Sequence, residues 1–299
     1  LVMEIRKTDK MYKFAAVYLL IQISCLSAVS QVNSAWNPGN LKPVFKVLPI
    51  HGVNGNTHDF SPVVVQNQLV FVTDRQSDLV NLGEDNYSGI PRLSIFYSEI
   101  SNRNDSMLYS RPKLFPGRFS EFVHTGTITF SAGGNIAVFT GVKYYKDNSD
   151  KTFRPQLFSS VKTKNLWSKP MLLPFSNHAF SYGHPSLSPD GNSLFFVSNK
   201  EGGYGGNDIY VCRKSGDNYS DPVNMGPAIN NPGNQVFPCL GSDGLLYFAS
   251  DGHKGLGGLD LFFAIPEGDK WTRVTNLGST INTPADDFGI CFSDSNTGY

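Results

Sequence analysis

Charge of either sign is scarce in this chain of 299 residues: 17% are charged, with 25 Lys plus Arg against 25 Asp plus Glu. A balanced surface has no global field to draw in nucleic acid or an anionic membrane, so neither is an expected partner. Cysteine is scarcer still, at four residues, and no C-x-x-C pair occurs. The common zinc and redox motifs are thereby excluded. Neither G-x-S-x-G nor H-E-x-x-H is present, which removes the serine-hydrolase elbow and the zinc-protease helix. Long Ala/Glu/Lys-rich segments are missing as well, and with them the coiled coil and the helical bundle. What the chain does have is 29 Gly and 18 Pro between short apolar runs, with 40% hydrophobic and 13% aromatic residues. Such punctuation reads as all-β, in a chain long enough to bury a core.

The longest predominantly apolar run, Phe14 to Leu26, has 13 residues, against about 20 for a spanning helix. Arg6, Lys7, Lys10 and Lys13 precede it, and Ala28-Val29-Ser30 sets small residues three and one positions before Gln31. This order predicts a secretory signal peptide over 1–30, cut after Ser30, and a linker over 31–43. The mature chain then keeps 21 basic and 23 acidic residues, with no transmembrane span expected. Cys25 is the alternative, a lipid-attachment cysteine, although Gln22-Ile23-Ser24 lacks the leucine usual three positions upstream. Cys212, Cys239 and Cys291 are left, an odd number that cannot close a disulfide framework, and read as small buried hydrophobes.

Past residue 160 the chain repeats itself. Trp167-Ser168-Lys169-Pro170, Tyr219-Ser220-Asp221-Pro222 and Trp271-Thr272-Arg273-Val274 stand 52 residues apart, as do Asp208-Ile209-Tyr210 and Asp260-Leu261-Phe262, and Ile229-Asn230 and Ile281-Asn282. Within a unit, Asp190-Gly191 and Asp243-Gly244 sit between apolar runs as tight hairpin turns. Four short strands per repeat make one propeller blade. The expected fold is therefore an all-β β-propeller of four-stranded antiparallel blades at about 57–116, 117–176, 177–229 and 230–281. Part of a fifth, 282–299, follows, so that the chain stops inside a blade. Residues 47–62 align without gaps on 223–238, which marks 44–49 as an orphan outer strand able to close the ring.

The units HPSLSPDGNSLFFVSN (184–199) and GGNDIYV (205–211) resemble the WD40-like repeat of TolB-type propellers. With DFSPVVVQNQLVFVTDR (59–75) and NNPGNQVFPCLGSDGLLYFASDGHKGLGGLDLF (230–262), the arrangement over 44–299 is similar to the propeller of Bacteroidetes OmpA-family envelope proteins. Some members of that family are similar to components associated with type IX secretion and gliding. The resemblance implies an exported, periplasmic or outer-membrane-associated interaction module whose partner is an envelope protein or a glycan. Peptidoglycan would be reached only through an OmpA-like domain, to which no residue here corresponds.

No residue pattern calls for a cofactor or metal. Asp208 and Asp260, each beside a Gly pair, read as buried turn-formers that accept backbone N–H groups; Asp190 and Asp243 read as hairpin residues. The segment Gly202 to Gly206 is not followed by a helix or by Lys-Ser/Thr, so a phosphate loop is not expected. Lys143 to Lys151 reads as a solvated loop. The candidate binding residues are Asp59, His124, Tyr182, Gln235 and Asp287, which the repeat places at equivalent entrances to the first strands; either they gather at one mouth of the central channel or they cap local loops. The alternative function is the propeller of an enzyme, glycoside-processing or gating a peptidase; a glycosidase requires paired carboxylates about 5 to 9.5 Å apart.

Overall fold

The computed structural model describes residues 50, 52–54, 57–76, 91–103, 106–143, 154–216, 218–268, 270–293 and 298–299. The expected signal peptide, the linker, Cys25, the closing strand at 44–49 and most of the Lys143–Lys151 loop lie outside them.

Four antiparallel sheets follow one another along the chain as the blades of a β-propeller. The first holds β1 (Asp59–Val65), β2 (Gln68–Thr73), β3 (Ser94–Arg103), β4 (Ser106–Tyr109) and β5 (Lys113–Leu114). A single 3-10 turn, Arg118–Glu121, leads to the second, with β6 (His124–Phe130), β7 (Ile136–Val142), β8 (Gln156–Thr163), β9 (Leu166–Trp167) and β10 (Met171–Leu172). The third comprises β11 (Tyr182–Leu187), β12 (Ser193–Ser198), β13 (Asp208–Ser215), β14 (Asn218–Tyr219) and β15 (Val223–Asn224), and the fourth β16 (Gln235–Leu240), β17 (Leu246–Ser250), β18 (Asp260–Glu267) and β19 (Lys270–Asn276).

The second strand of each blade is its driest. Val70, Phe71 and Val72 in β2, Leu194 and Phe196 in β12, and Leu246, Phe248 and Ala249 in β17 are all fully buried. Each large side chain among them contributes about 1.5–3 kcal/mol by leaving water. Tight turns feed these strands: Gly134, Gly191 and Gly244 take positive φ of 66, 70 and 79°. The Asp190 and Asp243 carboxylates accept the amides of Asn192 and Leu245 at 3.0 Å in the latter two turns.

The fourth strand is not one strand in the first three blades, where two short pieces pair in turn with the same third strand. The break falls at Pro112, Pro170 and Pro222, and just before each the hydroxyl of Ser110, Ser168 or Ser220 accepts a third-strand amide at 2.9–3.0 Å. Proline has no N–H to give the ladder and is tolerated at such an outer edge, where it also discourages pairing with another chain. Blade four has Val274 at this place and keeps a continuous β19, bending instead through Arg273 at φ 48°.

Consecutive blades are joined by a backbone bond to one repeated carbonyl, its donor standing one residue later in blade two than in the others. The amides of Thr125, Tyr182, Gln235 and Asp287 donate to the carbonyls of Leu93, Pro155, Asn207 and Leu259, the residue just before the preceding blade's third strand, at 3.0, 2.8, 2.8 and 2.6 Å. Asparagines reinforce the joint: Asn230 accepts the Ile209 N–H and donates to the Ile209 carbonyl at 2.8 and 2.9 Å, and Asn282 does the same to Leu261. Asp208, 1% exposed, accepts from the amides of Tyr204 and Gly205 and from the Asn224 side chain. Asp260 accepts from Leu256 and Gly257. Gly205 is required here, because a methyl group would collide with the Asn231 and Gly233 carbonyls of the next blade.

After β19 the chain enters a fifth unit, of which the described residues show one bridge, Phe292 to Gly298, and paired backbone bonds between Cys291 and Tyr299. This hairpin lies between the fourth blade and the first. Phe292 packs on Tyr247, while Phe288 meets Phe60 and the Tyr299 hydroxyl lies 2.9 Å from that of Tyr109. Replacing Asn230 by Ala leaves the buried Ile209 amide without an acceptor, and urea unfolding should show a loss of about 1–3 kcal/mol; an unchanged midpoint would remove the asparagine from this structural role.

Candidate functional site

Every inner strand carries the same irregularity. Pairing skips between Phe60 and Val63, Thr125 and Ile128, Gly183 and Ser186, and Val236 and Cys239, so two residues oppose one, a β-bulge. In blades one, three and four the pair is Ser61-Pro62, His184-Pro185 and Phe237-Pro238, and the residue opposite is a buried phenylalanine, Phe71, Phe196 or Phe248. Blade two has Gly126-Thr127 opposite Thr140, with the two threonine hydroxyls 3.0 Å apart. Ser61, His184 and Phe237 take left-handed φ of 50, 49 and 53°, and Gly289 takes 79° at the fifth equivalent position. For a residue with a side chain this conformation costs roughly 1–2 kcal/mol, and strain of this kind is characteristic of functional sites.

The bulges surround a central cavity of about 340 Å³, lined by 61–64, 127–130, 184–189, 237–240 and 289–293 with Ala132 and Ser242. The five repeats therefore each contribute their inner strand. None of the described lining residues is Asp, Glu, Lys or Arg. At one end the bulge side chains form a stack. The His184 ring lies on Phe237 with centroids 3.9 Å apart at 13°, Phe237 lies on Phe288 at 4.7 Å and 21°, and Phe288 meets Phe60 edge-on at 6.3 Å. His184 Nδ1 accepts the Phe237 amide at 3.3 Å, which makes it the unprotonated nitrogen and leaves Nε2 as an N–H donor. Burial holds the imidazole pKa down to about 3. Ser61 Oγ, in a residue 7% exposed, has no hydrogen-bond partner.

Both thiols on the cavity are inert. Burial pushes Cys239 up to about 12 and Cys291 well above its usual value, the opposite of what a nucleophilic cysteine needs.

The five residues selected from the sequence lie elsewhere, none of them lining the cavity. Asp59 is buried and paired with Arg75 Nη2 at 2.7 Å, which also donates to the Val53 carbonyl. His124 Nδ1 accepts the Leu93 amide at 3.2 Å. Tyr182 is buried against Phe175 and Phe196, its hydroxyl accepting from Asn177 at 3.2 Å. Gln235 is fully buried and bonded to Asn231 and Ser250. Asp287, its pKa raised by burial, accepts from the Thr283 amide and hydroxyl. Asp59, Tyr182, Gln235 and Asp287 are engaged within their own blade or connecting loop, whereas His124 reaches back to blade one. Ser61, His184 and Phe237 were not selected. Their signal in the sequence is the following proline, which within a strand marks a bulge.

No protein-family model and no curated protein sequence matches the chain. Solved structures similar in fold include a Dyadobacter fermentans protein of unknown function (12% identity, 75% of this chain and 70% of that one, TM-score 0.44). A thermostable family-43 glycoside hydrolase (14%, 75% and 74%, TM-score 0.45) and a putative TolB from Agrobacterium tumefaciens (15%, 79% and 84%, TM-score 0.43) are also among them.

Two outcomes test these assignments. Arg75→Ala strands the buried Asp59 carboxylate and should lower unfolding stability by about 3 kcal/mol; a loss below 1 kcal/mol would show that the pair is not structural. For His184 the folded pKa is below the unfolded one, so its contribution is complete above about pH 6.5 and is lost as the pH falls from there toward 3. At pH 5 the loss is about 2 kcal/mol, measurable as a steeper decline of stability with acid than in His184→Gln. Parallel curves for the two proteins would exclude a His184 held neutral by the fold.

Proposed function

We propose that this chain is a non-enzymatic, exported β-propeller that serves as an interaction module in a bacterial cell-envelope assembly, periplasmic or outer-membrane-associated, and takes a protein or glycan partner. The observation that carries this reading is the uncharged cavity: the inner strands of all five repeats converge on it, and they bring hydroxyls, prolines and rings but, among the described residues, no Asp, Glu, Lys or Arg. Uncharged, largely apolar concavities with a few placed polar groups suit binding. General acid–base or glycosidic chemistry requires carboxylates or a titrating group near neutrality. His184 Nδ1 is occupied by the Phe237 amide, and the cavity thiols are held protonated. Export is supported by the leader pattern over 1–30, and the envelope setting by the resemblance to TolB-type repeats of OmpA-family proteins.

Expressed with its own leader in a bacterium with an outer membrane, the protein is expected in the periplasmic or membrane-associated fraction with Gln31 at its N-terminus. An uncleaved cytosolic chain would overturn export. Turnover of aryl glycosides or peptide amides that disappears in His184→Ala would overturn the non-enzymatic reading.

A further inference from the structure

The ring of bulge positions around the channel mouth is filled unevenly. Blades three and four contribute rings, His184 and Phe237, and the fifth unit adds Phe288 beside Gly289 to complete a stack of three. Blade two contributes Gly126, which has no side chain, and blade one the small Ser61. Going round the ring from Phe237, the stack thus ends at His184, and the next equivalent position beyond its far face is a glycine. Gly126 is half-buried with Thr140 packed against its side-chain position, so blade two places no ring beside His184. Two hydrogen-bonding groups at this mouth have no partner among the described residues: the Nε2–H of the partly exposed His184, whose Nδ1 is already used, and the buried hydroxyl of Ser61. A hydroxyl buried without a partner is unfavourable by about 1–3 kcal/mol, and Ser61 is held besides at φ 50°.

We propose that this end of the channel binds a neutral saccharide unit, stacked on the far face of the His184 ring over Gly126 and hydrogen-bonded to His184 Nε2 and Ser61 Oγ. The inference rests on the reading of the propeller as a binding module and names its ligand class. Neutrality follows from the lining: a phosphate, sulfate or carboxylate ligand would lose its hydration without gaining a cation, and a metal would find no carboxylate. The stack supplies the second requirement, because the negative face of an aromatic ring attracts partly positive C–H hydrogens, which a pyranose presents together on one side. The third is hydrogen bonding at the ring's rim, where one N–H donor and one hydroxyl, able to give or accept, match sugar hydroxyls. A cavity of about 340 Å³ is at the small end of ligand sites and holds a sugar unit or two, not a folded partner. Three strained or unsatisfied groups at one mouth are then explained together by one occupant.

The test uses the full chain, saturation-transfer difference NMR and calorimetry. The probes are gluco-, galacto-, manno-, xylo- and N-acetylglucosamine disaccharides, a sulfated heparin disaccharide and a proline-rich decapeptide. At least one neutral disaccharide is expected to bind through its ring C–H protons, with Kd raised at least tenfold in Ser61→Gly and in His184→Ala. Ser61→Gly should at the same time unfold no earlier than the unaltered protein, because it relieves the left-handed φ and removes the unpaired hydroxyl; it separates lost binding from lost folding. Failure of every neutral disaccharide, or binding unaffected by both substitutions, would overturn the proposal. Capture of the peptide or the sulfated sugar in their place would overturn the ligand class while leaving the binding-module reading intact. Cleavage of a bound disaccharide would do the reverse.

Discussion

A propeller has no continuous sheet around its ring, so the bond that joins one blade to the next decides whether the sheets form a closed object at all. Here that bond is a backbone amide at the entrance of each inner strand reaching the carbonyl just before the previous blade's third strand. It sets the radius at which the inner strands meet. Everything near it is built to protect it: Asn230 and Asn282 hold the amide and carbonyl one residue pair further on, and Asp208 and Asp260 gather the Gly-rich loop that must run past. The glycines of that loop are needed because two backbones approach to contact. Where the carboxylate is missing the joint uses another device, as in blade two, where Gln156 at the same strand start donates to the Phe180 carbonyl of the next connection.

This joint explains what could be read from the sequence and what could not. The four blades and the hairpins within them were legible, because Asp-Gly turns, the Ser-X-Pro break and the Asn-containing linker recur at a fixed period and each has a local chemical cause. The split of the outer strand was not, although Pro112, Pro170 and Pro222 were in view. Its second half returns to the same third strand only because a serine hydroxyl takes the amide left over at the break, an arrangement that pairing rules for simple hairpins do not contain. The entrance residues were a different difficulty. Asp59, His124, Tyr182, Gln235 and Asp287 differ in charge and shape, and that divergence suggested an asymmetric ligand. At Tyr182, Gln235 and Asp287 the repeated task belongs to the main-chain N–H, which any residue except proline supplies. The side chains were free to diverge and to settle into whatever loop or core lay beside them.

The bulges two residues further in are under the opposite pressure. Their task depends on which side chain stands there, because a left-handed bulge turns that side chain off the sheet and toward the axis. The backbone geometry repeats in blades one, three and four while its occupants are Ser61, His184 and Phe237, and Gly289 takes the same hand of φ in the fifth unit. Proline following each of the first three fixes the bulge by withholding an amide from the ladder. Blade two, with Gly126-Thr127, gives up the ring and spends its threonines on the neighbour instead: Thr140 and Thr129 accept the amides of His184 and Leu187 at 3.1 and 3.0 Å. Those two bonds fix the height at which the His184 ring stands in the channel.

The channel mouth keeps three side chains in a conformation glycine would hold more cheaply, and the hydroxyl of one of them, Ser61, has no partner. Folding alone gives no reason to hold them so. A glycine at all five bulges would relieve the left-handed strain, as Gly289 does within this chain at φ 79°. Where glycine is not required and is also not used, the side chain is retained against its own conformational preference. In His184 this extends to protonation, since the stack on Phe237 and the amide bond to Nδ1 keep the ring neutral and its remaining N–H pointed away from both. Three of the chain's left-handed side chains, Ser61, His184 and Phe237, thus stand where five repeats meet without an Asp, Glu, Lys or Arg among their described lining residues, and what they supply there is an oriented donor and a hydroxyl rather than any stability.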